Sequence, residues 1–195
     1  MLSAQKKEQT QLSPWEEWLA LPDTTMAEFI DGQIYMMATP NRRHQTILRE
    51  LHTTIHSRIR ANGGDCRVYP APFGVKFIAE DGNFNILEPD ISVICDKSKL
   101  TKEGCTGGPD WIIEIVSPSD PKHDYIDKLK MYRDGGVREY WIVDPMEEKI
   151  TVYPLEDDDF RISTFTFAEK VKAGIWDDYY IDFSEIAAVL EEESA

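Results

Sequence analysis

The chain has 195 residues, of which 42% are hydrophobic and 29% charged, a length and composition typical of one globular domain with a substantial core. No apolar run approaches the ~20 residues of a membrane span, and three cysteines without a CxxC pair argue for reduced thiols rather than a disulfide framework or a cysteine-ligated zinc. The net charge of −15 disfavours non-specific nucleic-acid binding, but residues 144–195 hold 15 acidic and 4 basic side chains, so a local basic groove elsewhere is not excluded.

The N-terminal half predicts a tail, a short helix, a hairpin and a long helix. Residues 1–12 are polar and have no signal-peptide core, so we expect a disordered or frayed tail before a single domain over 13–195, in a cytoplasmic protein. The segment 13–22 begins with Ser-Pro and predicts a short helix, and Asp-Gly inside 27–38 predicts a hairpin. Helical apolar spacing over 42–61 ends at Asn-Gly-Gly, which predicts a long helix.

The central part of the chain alternates strands with a second helix. Strands are expected at 73–78, 87–95, 110–117 and 138–145, with a helix over 120–135 that Asp120 and Pro121 would begin and Gly135-Gly136 would end. Further strands at 149–155 and 160–167 and a helix near 184–190 complete the chain. From residue 42 the order is helix, strand, strand, strand, helix, strand. The helix between the last two strands implies a parallel pair in a mixed α/β sheet with the two helices on opposite faces.

An acidic side chain interrupts the most apolar strand. Glu114 lies in the middle of WIIEIV (111–116), and Asp90 lies on an earlier strand that is a plausible neighbour. A buried ionised carboxylate needs compensation, because its desolvation costs several kcal/mol. A structural ion pair with an arginine or lysine and a divalent cation shared by both acids are equally good explanations on spacing alone. All-oxygen ligation would suit Mg²⁺ or Mn²⁺ rather than zinc.

Six segments together carry a resemblance to a known family. They are EFIDG (28–32), RHQ (43–45), EPD (88–90), IIEIVSPSD (112–120), DKLKMY (127–132) and GVREYWIVDP (136–145). They resemble the Uma-type endonucleases of the restriction-endonuclease-like PD-(D/E)XK superfamily, a family long treated as a domain of unknown function. The resemblance runs from about Trp15 to the strands after Asp144. It implies a restriction-endonuclease-like core with extra strands at both ends, and Mg²⁺- or Mn²⁺-dependent hydrolysis of phosphodiester bonds in DNA.

The resemblance also implies roles for individual residues. Asp90 and Glu114 would be catalytic metal ligands, and the backbone carbonyl of Ile115 would be a third ligand. The superfamily pattern then expects a lysine where this chain has Val116. The Uma-type pattern has a lysine in the following helix, which corresponds to Lys128. The alternative for this lysine is an exposed i,i+4 pair with Asp124.

Supporting residues are less sharply indicated by the sequence. Lys76 is the fallback for the lysine, and Glu28, His44 and Tyr132 are further candidates near the motifs. The alternative for Glu28 is an ordinary strand charge, and a lone histidine on the apolar face of a helix, such as His44, is more often a hydrogen-bonded core residue than a ligand.

The long helix is rich in arginine. Arg42, Arg43 and Arg49 are candidates for phosphate contacts, and solvated side chains of an amphipathic helix explain them equally well. DNA is the expected partner, a homodimer is a further expectation, and no membrane is expected. The main rival to a nuclease is a catalytically decayed module that binds nucleic acid or protein on the same fold, favoured by Val116 and the acidic surface. A weaker rival is a structural protein in which Glu114 pairs with an arginine.

Overall fold

The computed structural model describes residues 12–22, 25–117, 123–156 and 161–193, so the expected tail lies outside it apart from Leu12. The helices are α1 (Pro14–Leu19), α2 (Arg42–Asn62), α3 (Leu129–Asp134) and α4 (Phe183–Glu192). The strands are β1 (Ala27–Ile30), β2 (Gln33–Met36), β3 (Arg67–Pro70), β4 (Gly74–Ile78), β5 (Phe84–Leu87), β6 (Ile91–Ile94), β7 (Gly104–Thr106), β8 (Trp111–Ile115), β9 (Glu139–Asp144), β10 (Lys149–Pro154), β11 (Ser163–Thr166), β12 (Lys170–Lys172) and β13 (Tyr180–Asp182).

Local sequence signals explain several element boundaries. Ser13 and Glu16 form a capping box at the start of α1. Asp31 and Gly32 both have positive φ, at 48° and 74°, as the tight turn between β1 and β2 requires. The helix α2 begins after the Asn41 cap and ends at Gly63 in the left-handed conformation.

Two sheets and a hairpin form the β-structure. The main sheet has the order β11-β10-β9-β8-β6-β3, and the second sheet has the order β2-β1-β5-β4-β7. Strands β8 and β9 are parallel and adjacent, with Glu114 opposite Ile142, as the helix crossover between them predicted. Strands β12 and β13 pair separately.

The main sheet is buried on both faces. Ile47, Leu51 and Ile55 of α2 pack on one face, together with residues of α4. The second sheet and Tyr132 of α3 pack on the other face. The two helices therefore lie on opposite sides of a mixed sheet, as expected, and the continuous apolar sequence of β8 follows from burial on both faces.

Two predicted strands need correction. The segment 87–95 is not one strand, because β5 ends at Leu87 in the second sheet and β6 begins at Ile91 in the main sheet. Pro89 lies between them, and its missing N–H suits a crossing between sheets rather than the middle of a ladder. The first strand of the core motif is β3, paired with β6, whereas the predicted strand at 73–78 is β4 of the second sheet.

The helix predicted over 120–135 is described only in part. Asp120 and Pro121 lie outside the described residues, and a π-helical segment (His123–Lys128) leads into α3. Gly136 follows the helix with a φ of 79°, as a helix-ending glycine does.

The expectation of reduced thiols is wrong for two of the three cysteines. Cys66 and Cys95 form a disulfide, and Cys105 is a buried free thiol. Arg67 pairs with Ile94 in the β3–β6 ladder, so Cys66 and Cys95 are the next pair along these strands. Cross-strand proximity of this kind leaves no trace in the spacing of cysteines along the chain.

Candidate active site

The two predicted acids meet at one end of the neighbouring strands β6 and β8 of the main sheet. The chain crosses from the second sheet to the main sheet at this place. Ile91 pairs with Ile113, so the β6–β8 register continues to place Asp90 opposite Glu114. The Asp90 backbone N–H lies 3.5 Å from the Glu114 Oε2 atom. Both residues are buried, with exposed fractions of 9% and 3%. Asp90 and Glu114, which the sequence predicted to lie close together, are therefore side by side in the fold.

Asp90 is held by one backbone and one side-chain contact. Its Oδ2 atom accepts a hydrogen bond of 2.8 Å from the backbone N–H of Ile115 and lies 3.1 Å from Nε2 of His44. Among the described residues no donor contacts its Oδ1 atom. The carboxylate is thus fixed through one oxygen while the other remains available to a ligand.

Side chains on the side of the main sheet that carries α3 contact Glu114. Its Oε1 atom accepts a hydrogen bond of 2.9 Å from Nζ of Lys128 and one of 2.5 Å from the Tyr132 hydroxyl. Burial, and next the charge of Glu114, raises the pKa of Tyr132 well above its usual value of 10.0, so the phenol stays a neutral donor. These two donors orient the carboxylate and compensate part of its charge.

Lys128 points into the protein. Its Nζ atom also lies 3.1 Å from Oε1 of Glu28, and the residue is only 4% exposed. Lys128 is therefore not a solvent-exposed side chain, and the side chain of Asp124, its partner in the alternative i,i+4 pair, lies outside the described part of the structure. Lys128 instead links the first strand of the second sheet to the strand that carries Glu114.

Glu88 is a further acid that sequence reasoning missed. Its backbone N–H donates a 3.2 Å hydrogen bond to Oε1 of Glu28, and its own Oε2 atom is buried with no hydrogen-bond partner among the described residues. Burial, followed by repulsion from Glu28, raises the pKa of Glu88 to about 7. The signal was present in the sequence, since Glu88 directly precedes the Pro-Asp pair.

His44 approaches the site from the other face of the main sheet. The Asn41 cap accepts a hydrogen bond of 2.9 Å from its backbone N–H, which fixes the residue in the first turn of α2. The side chain reaches Asp90 through Nε2, whereas Nδ1 is buried with no partner in the described part of the chain. Asn41, Arg43, His44, Val116, Pro145 and Met146 line a small pocket at this point.

Lys76 does not join the acids. Lys76 and Phe29 both pair with Ile86, so these side chains share one face of the second sheet, and Glu28 lies on the opposite face. The Lys76 ammonium lies 4.1 Å from the centre of the Phe84 ring. The structure thus offers no route by which the fallback lysine could replace Lys128.

The arginines of α2 are largely engaged by acids. Arg43 pairs with Glu148 at 2.9 Å, and Arg49 pairs with both Glu50 and Glu193. Arg42, in the first turn of α2 next to Arg43, is exposed. Exposed ion pairs of this kind are weak, so they do not prevent contact with a phosphate.

Comparison with known proteins shows the family of this chain. Residues 15–173 match the family Uma2, described as "Putative restriction endonuclease". The chain belongs to the Uma2 family. An uncharacterised protein of Synechocystis sp. is 26% identical over 147 residues, which cover 74% of this chain and 75% of that protein.

A solved structure supports the fold of this Uma2 chain. It is a crystal structure of "a putative nuclease belonging to DUF820" from Anabaena variabilis, similar with a TM-score of 0.73 at 22% identity. The match covers 92% of this chain and 99% of that chain. The restriction-endonuclease-like fold and the mixed sheet predicted from the sequence are confirmed. No helix among the described residues is both long enough and apolar enough to cross a membrane.

The third ligand expected from the sequence is the backbone carbonyl of Ile115. The β6–β8 register continues to place Pro89 opposite Ile115. Proline has no N–H to donate, so the ladder does not use the Ile115 carbonyl at this point. Val116, at the position where the superfamily pattern has lysine, is 4% exposed and packs in the apolar cluster that contains Tyr132.

The donor set of the site fits a hard divalent cation. Within the described residues no three His, Cys, Asp or Glu side chains form a complete metal cage. Mg²⁺ does not need one, because it usually retains several waters and binds through one or two carboxylates. The uncontacted Oδ1 of Asp90 and the unpartnered Oε2 of Glu88 are acceptors that such an ion could compensate.

Proposed function

We propose that this Uma2 protein hydrolyses phosphodiester bonds in DNA with the help of Mg²⁺ or Mn²⁺. The observation that carries the proposal is the placement of two buried carboxylates side by side, Asp90 immediately before β6 and Glu114 on the neighbouring β8, with the ammonium of Lys128 2.9 Å from Glu114. Desolvated acids and a lysine in one cluster are typical of catalytic sites rather than of a packed core. The family description as a restriction endonuclease supports the same reaction class.

The ligands of the cation would be Asp90, Glu114 and the Ile115 carbonyl. A divalent ion bound there would supply Lewis-acid charge for the phosphate and favour ionisation of an attacking water. The Ile115 N–H and His44 hold the Asp90 carboxylate in place through Oδ2. Tyr132 does the same for Glu114 through Oε1, and Glu28 holds the Lys128 ammonium from its other side.

Lys128 would provide positive charge to the transition state. Negative charge grows on the phosphate oxygens during hydrolysis, and a preorganised cation in a desolvated site stabilises it strongly. Val116 cannot provide this charge, whereas Lys128 contacts Glu114 from the π-helical segment that precedes α3. The chain therefore keeps an acid–acid–lysine cluster although the lysine comes from a different element.

Cleavage of supercoiled plasmid tests the proposal. We expect nicking by the parent protein with Mg²⁺ or Mn²⁺ and none with EDTA. Glu114→Gln should lower the rate by about 10²-fold or more, because it removes a charged ligand. The matched control is Asp134→Asn, an exposed acid on α3, which should retain the parent rate. Equal rates for Glu114→Gln and the parent would remove this site from the reaction.

The second candidate is a non-catalytic binding module on the same fold. Two observations favour it, namely the apolar Val116 at the superfamily lysine position and the pairing of Arg43 and Arg49 with acids. This candidate predicts DNA or protein binding without metal-dependent nicking. A parent protein that binds DNA but does not nick it with either metal would establish the module and refute the nuclease.

A further inference from the structure

A small pocket adjoins the acid cluster and has no part in the proposed metal site. Three of its lining residues belong to the start of α2, namely Asn41, Arg43 and His44. His44 contacts Asp90 through Nε2, and Val116, which also lines the pocket, follows the proposed ligand Ile115. The pocket therefore opens directly beside the place where a phosphodiester would react.

The pocket wall formed by α2 favours an anion. The first intrahelical hydrogen bond of α2 runs from the Gln45 N–H to the Asn41 carbonyl, so the N–H groups of Arg42 and Arg43 precede the ladder. Arg43 lies in the first turn of this 21-residue helix and lines the pocket, so the positive end of the helix dipole and an arginine both adjoin it. Phosphate groups bind readily at such helix starts.

A second, independent observation also points to a ligand. His44 is only 8% exposed, it lines the pocket, and its Nδ1 atom has no hydrogen-bond partner among the residues that the structure describes. Buried polar atoms are nearly always hydrogen-bonded, so an unpartnered one on a residue that lines a pocket points to a ligand at that place. Asp90 already orients the ring through its other nitrogen, at 3.1 Å.

A carboxylate holds the arginine in the free protein. Oε1 of Glu148 lies 2.9 Å from Nη2 of Arg43, and both side chains are exposed, by 63% and 41%. The backbone of Glu148 has a φ of 48°, a conformation that residues other than Gly, Asn and Asp rarely adopt. Arginine binds carboxylate and phosphate with the same planar fork of donors, so Glu148 occupies the position of an anionic ligand. An exposed pair of this kind is weak and readily exchanged.

The rim of the pocket suits a sugar–phosphate chain rather than a free ion. Pro145 and the 70% exposed Met146 form its apolar side. An apolar edge next to a cationic wall matches a deoxyribose beside its phosphate.

We propose that this pocket is a subsite for one backbone phosphate of the DNA strand, next to the phosphate that is cleaved. Arg43 and the start of α2 bind the phosphate, and Glu148 is the occupant that the strand displaces. This inference rests on the proposed function for its substrate class. It adds Arg43 as the residue that positions the DNA strand and Glu148 as the carboxylate that opposes DNA binding.

The salt dependence of DNA binding tests the subsite without requiring cleavage. Fluorescence anisotropy with a labelled duplex in EDTA gives Kd between 50 and 200 mM KCl. Arg43→Gln should lower the slope of log K against log salt by about 1, so that this fourfold rise in salt weakens binding about fourfold less than in the parent. Glu148→Asn, which tolerates the positive φ, should tighten binding by exposing Arg43.

A matched control lies on the same helix. Arg60 is exposed near the other end of α2, about 25 Å away by helical rise, and Arg60→Gln should keep the parent slope. An unchanged slope for Arg43→Gln, or an equal fall for Arg60→Gln, would overturn the inference. Equal affinity for 5′-hydroxyl and 5′-phosphorylated duplexes is expected for a backbone phosphate. A preference for the 5′-phosphate that Arg43→Gln abolishes would overturn that assignment.

The inference and the proposed function fail in different ways. If the parent nicks DNA and Asp90→Asn does not, an unchanged Arg43→Gln slope refutes the subsite alone. If Arg43→Gln lowers the slope but no metal supports nicking, the nuclease is refuted and the subsite belongs to a binding module. A parent that binds no DNA would refute the subsite outright.

Discussion

Removal of the Lys128 ammonium is the most informative change to the site. Lys128 is 4% exposed, and the two carboxylates that it contacts, Glu28 and Glu114, are each 3% exposed. Lys128→Met removes the ammonium that contacts both buried acids, whereas the Tyr132 hydroxyl still contacts Glu114. Breaking a buried pair by removing one partner costs about 3–5 kcal/mol.

The loss is measurable by urea unfolding at pH 7. With a slope of about 2 kcal/mol per M urea, a cost of 4 kcal/mol lowers the unfolding midpoint by about 2 M. A domain with a stability in the upper part of the usual range of about 5–15 kcal/mol remains folded without urea. The double variant Glu28→Gln/Lys128→Met should recover at least about 1 kcal/mol of the loss, because it leaves one buried charge fewer.

Activity provides a separate test of the same variant. Lys128→Met should lose about 10²-fold or more of its Mn²⁺-dependent cleavage, measured where the variant is folded. Lys130→Met is the matched control, since that side chain is 80% exposed and pairs only with Asp134 among the described residues. Its stability should change by less than about 0.5 kcal/mol. A parent-like midpoint for Lys128→Met would refute the buried pair, and undiminished cleavage would remove Lys128 from the mechanism.

Three further changes have outcomes set by single contacts. Tyr132→Phe removes the 2.5 Å hydrogen bond to Glu114 and should cost about 1.5–3 kcal/mol in urea unfolding, whereas an unchanged midpoint would show that the bond contributes nothing. Burial, as the main cause, raises the pKa of Glu139 from the usual 4.5 to about 7, so the folded state holds this proton more tightly than the unfolded state does. The free energy of unfolding of the parent should therefore fall by up to about 3 kcal/mol relative to that of Glu139→Gln as the pH rises from about 4.5 to 7. Urea unfolding that gives both proteins the same dependence of stability on pH would contradict this. Reduction of the Cys66–Cys95 disulfide should lower the free energy of unfolding by about 3–4 kcal/mol, and Cys66→Ser should abolish this dependence on reductant; no difference with dithiothreitol would contradict a structural disulfide.

The sequence predicts those parts of the fold that follow from strong local patterns. The helix α2 has helical apolar spacing with a cap at each end, and β8 and β9 are apolar runs joined by a helix. Their parallel pairing follows from that connection, and Asp90 and Glu114 lie side by side because β6 is the neighbour of β8.

Other features depend on contacts that no local pattern encodes. An apolar run cannot show that the chain changes sheets at Glu88–Asp90, so 87–95 reads as one strand. The short strands β3, β12 and β13 have three or four residues each, too few for a clear period. The environment of Glu88 and the Cys66–Cys95 disulfide likewise depend on contacts between residues that are distant in sequence.

Binding of Mn²⁺ tests the central claim most directly. Titration of the metal-free protein, followed by electron paramagnetic resonance of the free ion, gives the number of sites and their affinity. We predict a site that Asp90→Asn and Glu114→Gln each weaken by at least about tenfold, as loss of a charged ligand does, while Asp134→Asn retains the parent affinity. Affinity that is the same in the parent, Asp90→Asn and Glu114→Gln would contradict a metal site formed by these two acids.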